Sequence, residues 1–119
     1  MKKDKYIDKA IEWAKSRIAQ TIRVNSEGYD EPKSFVNQTK DKVVMPDLTY
    51  TTRGGSKHYS EIALKTDKAQ DLVTKWKFLS QLAQMKSGKL HLLAPKGHLM
   101  FTRNLVKKYN IEAQVHSLK

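Results

Sequence analysis

The chain has 119 residues, of which 39% are hydrophobic and 29% charged, a composition that fits one folded domain rather than a disordered chain. Its 23 Lys and Arg residues outweigh 12 Asp and Glu, which gives a net charge of +11, and the absence of Cys excludes a disulfide scaffold, a thiol nucleophile and a Cys-based zinc site. No apolar run is long enough to cross a membrane and the basic start lacks the apolar core of a secretory signal, so we expect a cytoplasmic protein with no membrane partner.

Hydrophobic periodicity predicts a helix and then three strands in the first half of the chain. Apolar residues recur at spacings of three and four over residues 4–19, which predicts a helix with Asp4 at its cap and Ile18 on its buried face. Residues 25–41 are predicted to form a loop with a strand piece at 34–36. The three strands are predicted at residues 22–24, 42–50 and 58–65.

Helices and strands alternate in the second half of the chain. Residues 67–86 carry an apolar stripe that includes Trp76, which predicts a helix capped by Asp67 and ended by Gly88. Trp76 fits the core stripe and is expected to pack there rather than to stack on a base. The remaining elements are predicted as a buried strand at 89–94, a helix at 98–109 and a strand at 111–118.

The order of these elements is helix, strand, strand, strand, helix, strand, helix, strand. It predicts a single α/β domain over residues 1–119, with a mixed sheet flanked by helices. The short turn at Gly54-Gly55 makes strands 42–50 and 58–65 antiparallel neighbours. A helical crossover makes strand 89–94 parallel to strand 58–65, which should be central in the sheet.

The excess positive charge calls for a polyanionic partner, and nucleic acid is the leading class. Residues 61–119 contain 11 basic and 4 acidic side chains, whereas residues 1–60 contain 12 and 8, so the second half is the more basic. A basic surface that docks on an acidic protein, or that only keeps the chain soluble, stays open as an alternative.

One group of residues has the composition of a hydrolytic site. Asp47 follows Pro46 in one predicted strand, and Glu61 and Lys65 lie in the next strand of the hairpin. Two carboxylates can hold Mg²⁺, which lowers the pKa of a bound water, and a lysine can orient that water. The alternatives are that Asp47 only shapes a bulge and that Glu61 and Lys65 form a solvated charge pair.

The run MPDLTYTTRGGSKHYSEIALKTD, together with the order of elements, resembles the PD-(D/E)xK nuclease superfamily, which includes restriction endonucleases and archaeal Holliday-junction resolvases. The resemblance covers residues 1–118 and implies a restriction endonuclease-like fold. It implies Mg²⁺, or Mn²⁺, held by Asp47 and Glu61. It further implies catalytic roles for Lys65, for Glu12 on the first helix and for Gln70 on the following helix.

The expected partner is nucleic acid, with DNA favoured over RNA, and a homodimer is compatible with the resemblance because many enzymes with this fold dimerise, although the sequence identifies no interface. The chain departs from the family motif at Ala63, where an acidic residue normally stands two positions before the lysine. Alternation keeps Glu61 on the same strand face as Lys65. Glu61 nevertheless lies about 6.6 Å along the strand from position 63, where the family motif has its acidic residue. The sequence therefore predicts either an active Mg²⁺-dependent nuclease or an inactive nuclease-like module that binds DNA or RNA or docks on a larger assembly.

Basic residues outside the motif supply the predicted contacts to nucleic acid. The turn that holds Arg53 and Lys57 carries two cations but can also be a plain hairpin turn. A basic strip assigned to the third helix either follows phosphates or is a solvated face, and it consists of Lys96, Arg103, Lys107 and Lys108. His91, in an apolar strand, is expected to be a hydrogen-bonded core residue. The predicted nucleic-acid-binding residues are Arg53, Lys57, Lys68, Lys96, Arg103, Lys107 and Lys108.

Overall fold

The computed structural model describes residues 3–37 and 42–118. A 3-10 turn at Asp4–Tyr6 leads into the first helix. The helices are α1 (Ile7–Lys15), α2 (Ala69–Met85) and α3 (Leu99–Lys108). The strands are β1 (Thr21–Val24), β2 (Phe35–Asn37), β3 (Lys42–Val44), β4 (Leu48–Thr51), β5 (Lys57–Ile62), β6 (Leu90–Pro95) and β7 (Gln114–Leu118).

A five-stranded mixed sheet in the order β1-β4-β5-β6-β7 forms the centre of the fold. The hairpin partners β4 and β5 are antiparallel, and β5, β6 and β7 run parallel because helices connect them. The predicted α/β class and the central place of β5 are therefore confirmed. Strands β2 and β3 pair separately as a small antiparallel sheet, with β2 near the strand piece predicted at 34–36 and β3 in the first part of the predicted strand at 42–50.

Side chains alternate between the two faces of the sheet, and each face is covered by helix. On one face Tyr50 and Leu93 pack with the buried side of α1. On the other face Tyr59 and Leu92 pack with Trp76 of α2, whose side chain is fully buried as the apolar stripe predicts. Both faces of the central sheet are thus buried in apolar cores.

The first helix is shorter than the sequence predicts. It ends at Lys15, where the hydroxyl of Ser16 donates a hydrogen bond to the Trp13 carbonyl and competes with further helical bonding. Ile18 then has a left-handed φ of 58° and is 86% exposed, so its predicted place on the buried face is wrong. The cap position of α1 is held by Tyr6, and Asp4 lies in the preceding 3-10 turn instead.

The predicted strand at 42–50 is divided at Pro46, which has no N–H to donate to a ladder. The part before it, β3, pairs with β2, and the part after it, β4, pairs with β5. Residues 38–41 of the predicted loop lie outside the described residues. Asp47 consequently stands at the start of β4, where its own backbone N–H is available to a side chain.

Strand β5 ends at Ile62, three residues earlier than predicted, so Lys65 lies beyond the strand and does not share its alternation. The cap position of α2 is Lys68 rather than Asp67. The end of α2 is as predicted, since the Gly88 N–H donates to the Ala83 carbonyl at 2.8 Å. Gly88 also approaches the Lys57 carbonyl so closely that a Cβ at this position would overlap it.

Candidate active site

Asp47 and Glu61 meet at the edge of the sheet where β4 begins and β5 ends. The pairing of Leu48 with Ser60 puts the two acidic residues opposite one another, on the face covered by α2. The Asp47 N–H donates to Oε2 of Glu61 at 2.9 Å, and the Ile62 N–H donates to Oδ2 of Asp47 at 2.9 Å. Each carboxylate is therefore fixed by the backbone of the neighbouring strand.

Both acidic residues are buried, with 8% of Asp47 and none of Glu61 exposed to solvent. Buried carboxylates require compensation, because removing a charge from water without a partner is costly. Burial first, and then the charge of Asp47, raises the pKa of Glu61 to about 7. Two lysines act in the opposite direction and favour the ionised carboxylate.

These two lysines are Lys3, before the 3-10 turn, and Lys75, on α2. The ammonium group of Lys3 lies 2.8 Å from Oδ2 of Asp47 and 3.8 Å from Oε1 of Glu61. Lys75 Nζ lies 2.9 Å from Oε1 of Glu61. Burial alone would lower the pKa of Lys3, but the charges of Glu61 and Asp47, together with the hydrogen bonds to both carboxylates, outweigh burial and raise it. The cluster thus pairs two carboxylates with two cations.

The donor set fits a hard divalent cation held by two carboxylates. Mg²⁺ is commonly bound by one or two carboxylates, with waters and substrate phosphate completing its shell. Oε1 of Glu61 is buried, and although Lys75 is close, it makes no hydrogen bond of good geometry. A cation between the carboxylates would take the place of the Lys3 ammonium. Within residues 3–37 and 42–118, no set of three or more His, Asp or Glu side chains is arranged to hold a metal.

The other three residues assigned to catalysis lie apart from this cluster. Lys65 is exposed, and its backbone N–H donates to Nδ1 of His98 at 2.8 Å. Glu12 is exposed on α1 and lies 3.9 Å from the ammonium of Lys15. The exposed Gln70 donates to the Tyr109 hydroxyl at 2.8 Å. In the described part of the chain, none of these three side chains pairs with Asp47 or Glu61.

Sequence reasoning missed the two lysines, although one had a detectable signal. Lys75 comes three residues after Leu72 and four before Leu79, both of which belong to the apolar stripe of α2. A lysine on the buried face of a helix needs an acidic partner, so its position points to a carboxylate beneath it. Lys3 gives no comparable signal, because it precedes the first periodic segment.

The basic residues assigned to nucleic-acid binding are spread over both edges of the sheet. Arg53 lies exposed in the β4–β5 turn and Lys57 begins β5, at the edge opposite Asp47 and Glu61. Lys96 lies in the turn between β6 and α3, not on the helix as predicted. The remaining four are exposed: Lys68 before α2, and Arg103, Lys107 and Lys108 on α3.

A row of three histidines crosses the sheet on the face covered by α1. Nδ1 of His58 lies 3.1 Å from Nε2 of His91, and Nδ1 of His91 lies 2.9 Å from Nε2 of His116. His91 is fully buried against Trp13, as expected for a hydrogen-bonded core histidine. Burial first, and then the charges of His116 and His58, lowers the pKa of His91 to about 3. The central ring of this histidine row is therefore neutral at physiological pH.

Comparison of the chain with protein-family models, with curated proteins and with solved structures finds no match. Across residues 3–37 and 42–118, no helix has the length and apolar character needed to span a membrane.

Proposed function

We propose that the chain is a restriction endonuclease-like, nucleic-acid-binding domain that hydrolyses phosphodiesters with a divalent cation held by Asp47 and Glu61. The observation that carries this proposal is the buried pair of carboxylates, each fixed by a 2.9 Å backbone hydrogen bond. A charge of +11 supports a polyanionic substrate. DNA is the substrate that we propose to test first.

Mg²⁺ or Mn²⁺, when bound, would supply an activated water and offset charge on the phosphate. The two carboxylates would hold it, and their positions are set by the β4–β5 ladder rather than by mobile loops. Lys75 takes the role that the sequence assigned to Lys65, because its ammonium lies 2.9 Å from Glu61. Its charge favours the ionised form of Glu61, whose pKa burial raises, and places a positive charge beside the pair.

The experiment is a cleavage assay with Mg²⁺ or Mn²⁺ on single-stranded, duplex and branched DNA and on RNA. Asp47→Asn and Glu61→Gln are expected to lower the cleavage rate by about 100-fold or more, whereas Glu12→Gln, at an exposed acidic residue, should leave it unchanged. Lys75→Met should reduce cleavage and Lys65→Met should not. Equal rates in Asp47→Asn and wild type would overturn the proposal.

A second candidate is the same domain acting as a binding module without catalysis. The observation that favours it is the neutralisation of both carboxylates by Lys3 and Lys75, with Glu61 fully removed from solvent. In that case the cluster stabilises the fold, and the domain binds nucleic acid but cleaves none of the DNA or RNA substrates. Binding that is unaffected by Mg²⁺, together with the absence of cleavage, would support this candidate.

A further inference from the structure

A groove opens beside α1 at the sheet edge where β6 and β7 end. It has a volume of about 520 Å³ and its walls include Tyr6, Pro95 and Leu118. Pro95 and Leu118 are paired at the last position of the β6–β7 ladder. The carboxylate pair lies at the same edge, because Glu61 is next to the last residue of the parallel neighbour β5. The groove and the candidate active site therefore share one edge of the sheet.

The groove has the charge and shape to take an anionic ligand. Among the described residues, those lining it include Lys9 and Lys96 but no carboxylate. Its volume falls within the range of about 300–1,000 Å³ that is usual for small-molecule sites. A second groove, of about 640 Å³, is lined by Asp4, Glu27 and Glu31 and has the opposite charge. A phosphate-bearing ligand would accordingly favour the groove with the two lysines.

Tyr6 connects this groove to the carboxylate pair. Its ring is half-buried against the core on the α1 side and forms part of the groove wall. Its backbone N–H donates to the Lys3 carbonyl at 2.9 Å, so one turn of chain carries both the groove aromatic and the lysine that contacts Asp47. An aromatic ring flanked by cations is the usual platform for an unpaired base of a single strand.

We infer that this groove binds one nucleotide of a single-stranded nucleic acid, with its base on Tyr6 and its backbone phosphates near Lys9 and Lys96. The inference rests on the proposed function and names the substrate form of that site. A base within a duplex can enter the groove only after it is unstacked and unpaired, which costs free energy. Single strands, or the unpaired ends of branched molecules, are thus preferred over continuous duplex.

The test measures binding by fluorescence anisotropy of labelled oligodeoxythymidylate and of a duplex of equal length, in EDTA so that no cleavage occurs. The wild type should bind the single strand about tenfold more tightly than the duplex. Tyr6→Leu should lose that preference, whereas Tyr6→Phe should keep it, since only the aromatic face is required. Lys96→Gln should make the slope of log affinity against log salt concentration shallower by about one, which corresponds to the loss of one phosphate contact.

Lys89→Gln is the matched control, because Lys89 is exposed before β6 and so flanks the same strand at the opposite edge of the sheet. It should leave the preference for the single strand intact. If the wild type binds but Tyr6→Leu and Lys96→Gln behave as it does, the groove inference fails and the proposed function stands. If the wild type binds no nucleic acid even at low salt, the proposed function fails as well.

Discussion

The backbone N–H of Asp47 donates a 2.9 Å hydrogen bond to the side chain of Glu61, across the antiparallel pairing of β4 and β5. This bond exists because Pro46 separates β3 from β4 and leaves Asp47 at the start of the new strand. The Glu61 side chain thus accepts a backbone hydrogen bond from the neighbouring chain segment, as a backbone carbonyl would in a sheet. A carboxylate held in a buried position by the backbone needs compensation for its lost hydration, and Lys3 and Lys75 provide it at Glu61.

The cluster of two carboxylates and two lysines should contribute strongly to stability. Glu61→Ala leaves Lys75 without its carboxylate and Lys3 with Asp47 alone, and we expect the free energy of unfolding to fall by about 2–4 kcal/mol. Glu12→Ala, which removes an exposed pair with Lys15, should change it by less than about 0.5 kcal/mol. Urea denaturation at neutral pH measures both values. Equal effects of the two substitutions would show that the cluster does not stabilise the fold.

Lys3 should compete with a divalent cation for the carboxylates, because its ammonium group lies within 4 Å of both of them. Lys3→Gln is therefore expected to raise the affinity for Mg²⁺ and to enlarge the increase in melting temperature that Mg²⁺ produces. Lys5→Gln removes the same charge from an exposed neighbouring position and is the control. A smaller Mg²⁺ effect in Lys3→Gln than in wild type would mean that Lys3 assists the cation instead of competing with it.

The histidine row should make stability depend on pH below neutrality. The ordinary pKa of a histidine is 6.5, and burial lowers that of His91 to about 3, so the unfolded chain takes up a proton first as the pH falls. The contribution of His91 to stability is therefore fully present above pH 6.5 and is lost between pH 6.5 and 3, with a slope of up to about 1.4 kcal/mol per pH unit. Glu61, whose pKa burial raises to about 7, contributes a slope of the opposite sign below pH 7.

Chemical denaturation at several pH values tests this expectation. The stability of the wild type relative to His91→Asn should fall as the pH is lowered from 6.5 to 5, because Glu61 titrates in both proteins and cancels from this difference. A slope that is the same in His91→Asn and wild type would exclude His91 as the titrating group.

Gly88 is predicted to be intolerant of a side chain. A Cβ at this position would overlap the Lys57 carbonyl, where β5 begins, so Gly88→Ala must displace either the end of α2 or the strand. We expect a loss of about 2 kcal/mol or more in the free energy of unfolding. Gly54→Ala is the control, because nothing lies within 4 Å of the corresponding Cβ. Similar thermal stability of the two variants would contradict the close approach.

The sheet and its helices were predictable because their residues carry periodic signals. The stripe that includes Trp76 predicts α2, and the apolar run at 89–94 predicts the buried strand β6. Long-range partners were less accessible to sequence reasoning. The convergence of Asp47 and Glu61 follows from the hairpin, but the contact with Lys3 spans 44 residues and leaves no local trace.

The misplacement of Lys65 has a physical reason as well. The predicted strand continues to residue 65 and places Lys65 on the same face as Glu61. In the structure β5 ends at Ile62, so Leu64 and Lys65 lie outside the ladder. Strand ends are set by tertiary pairing with β6, which a sequence pattern does not contain. The lysine nearest the carboxylates is supplied by α2 instead, at Lys75.

Cation binding by the carboxylate pair is tested most directly by titrating the protein with Mn²⁺ and following the free ion by electron paramagnetic resonance. This measurement needs no choice of nucleic acid. We predict one site per chain in the wild type, and its loss in both Asp47→Asn and Glu61→Gln, while Glu12→Gln retains it. Mn²⁺ binding that is absent from the wild type, or that is unchanged in Asp47→Asn and Glu61→Gln, would contradict the account.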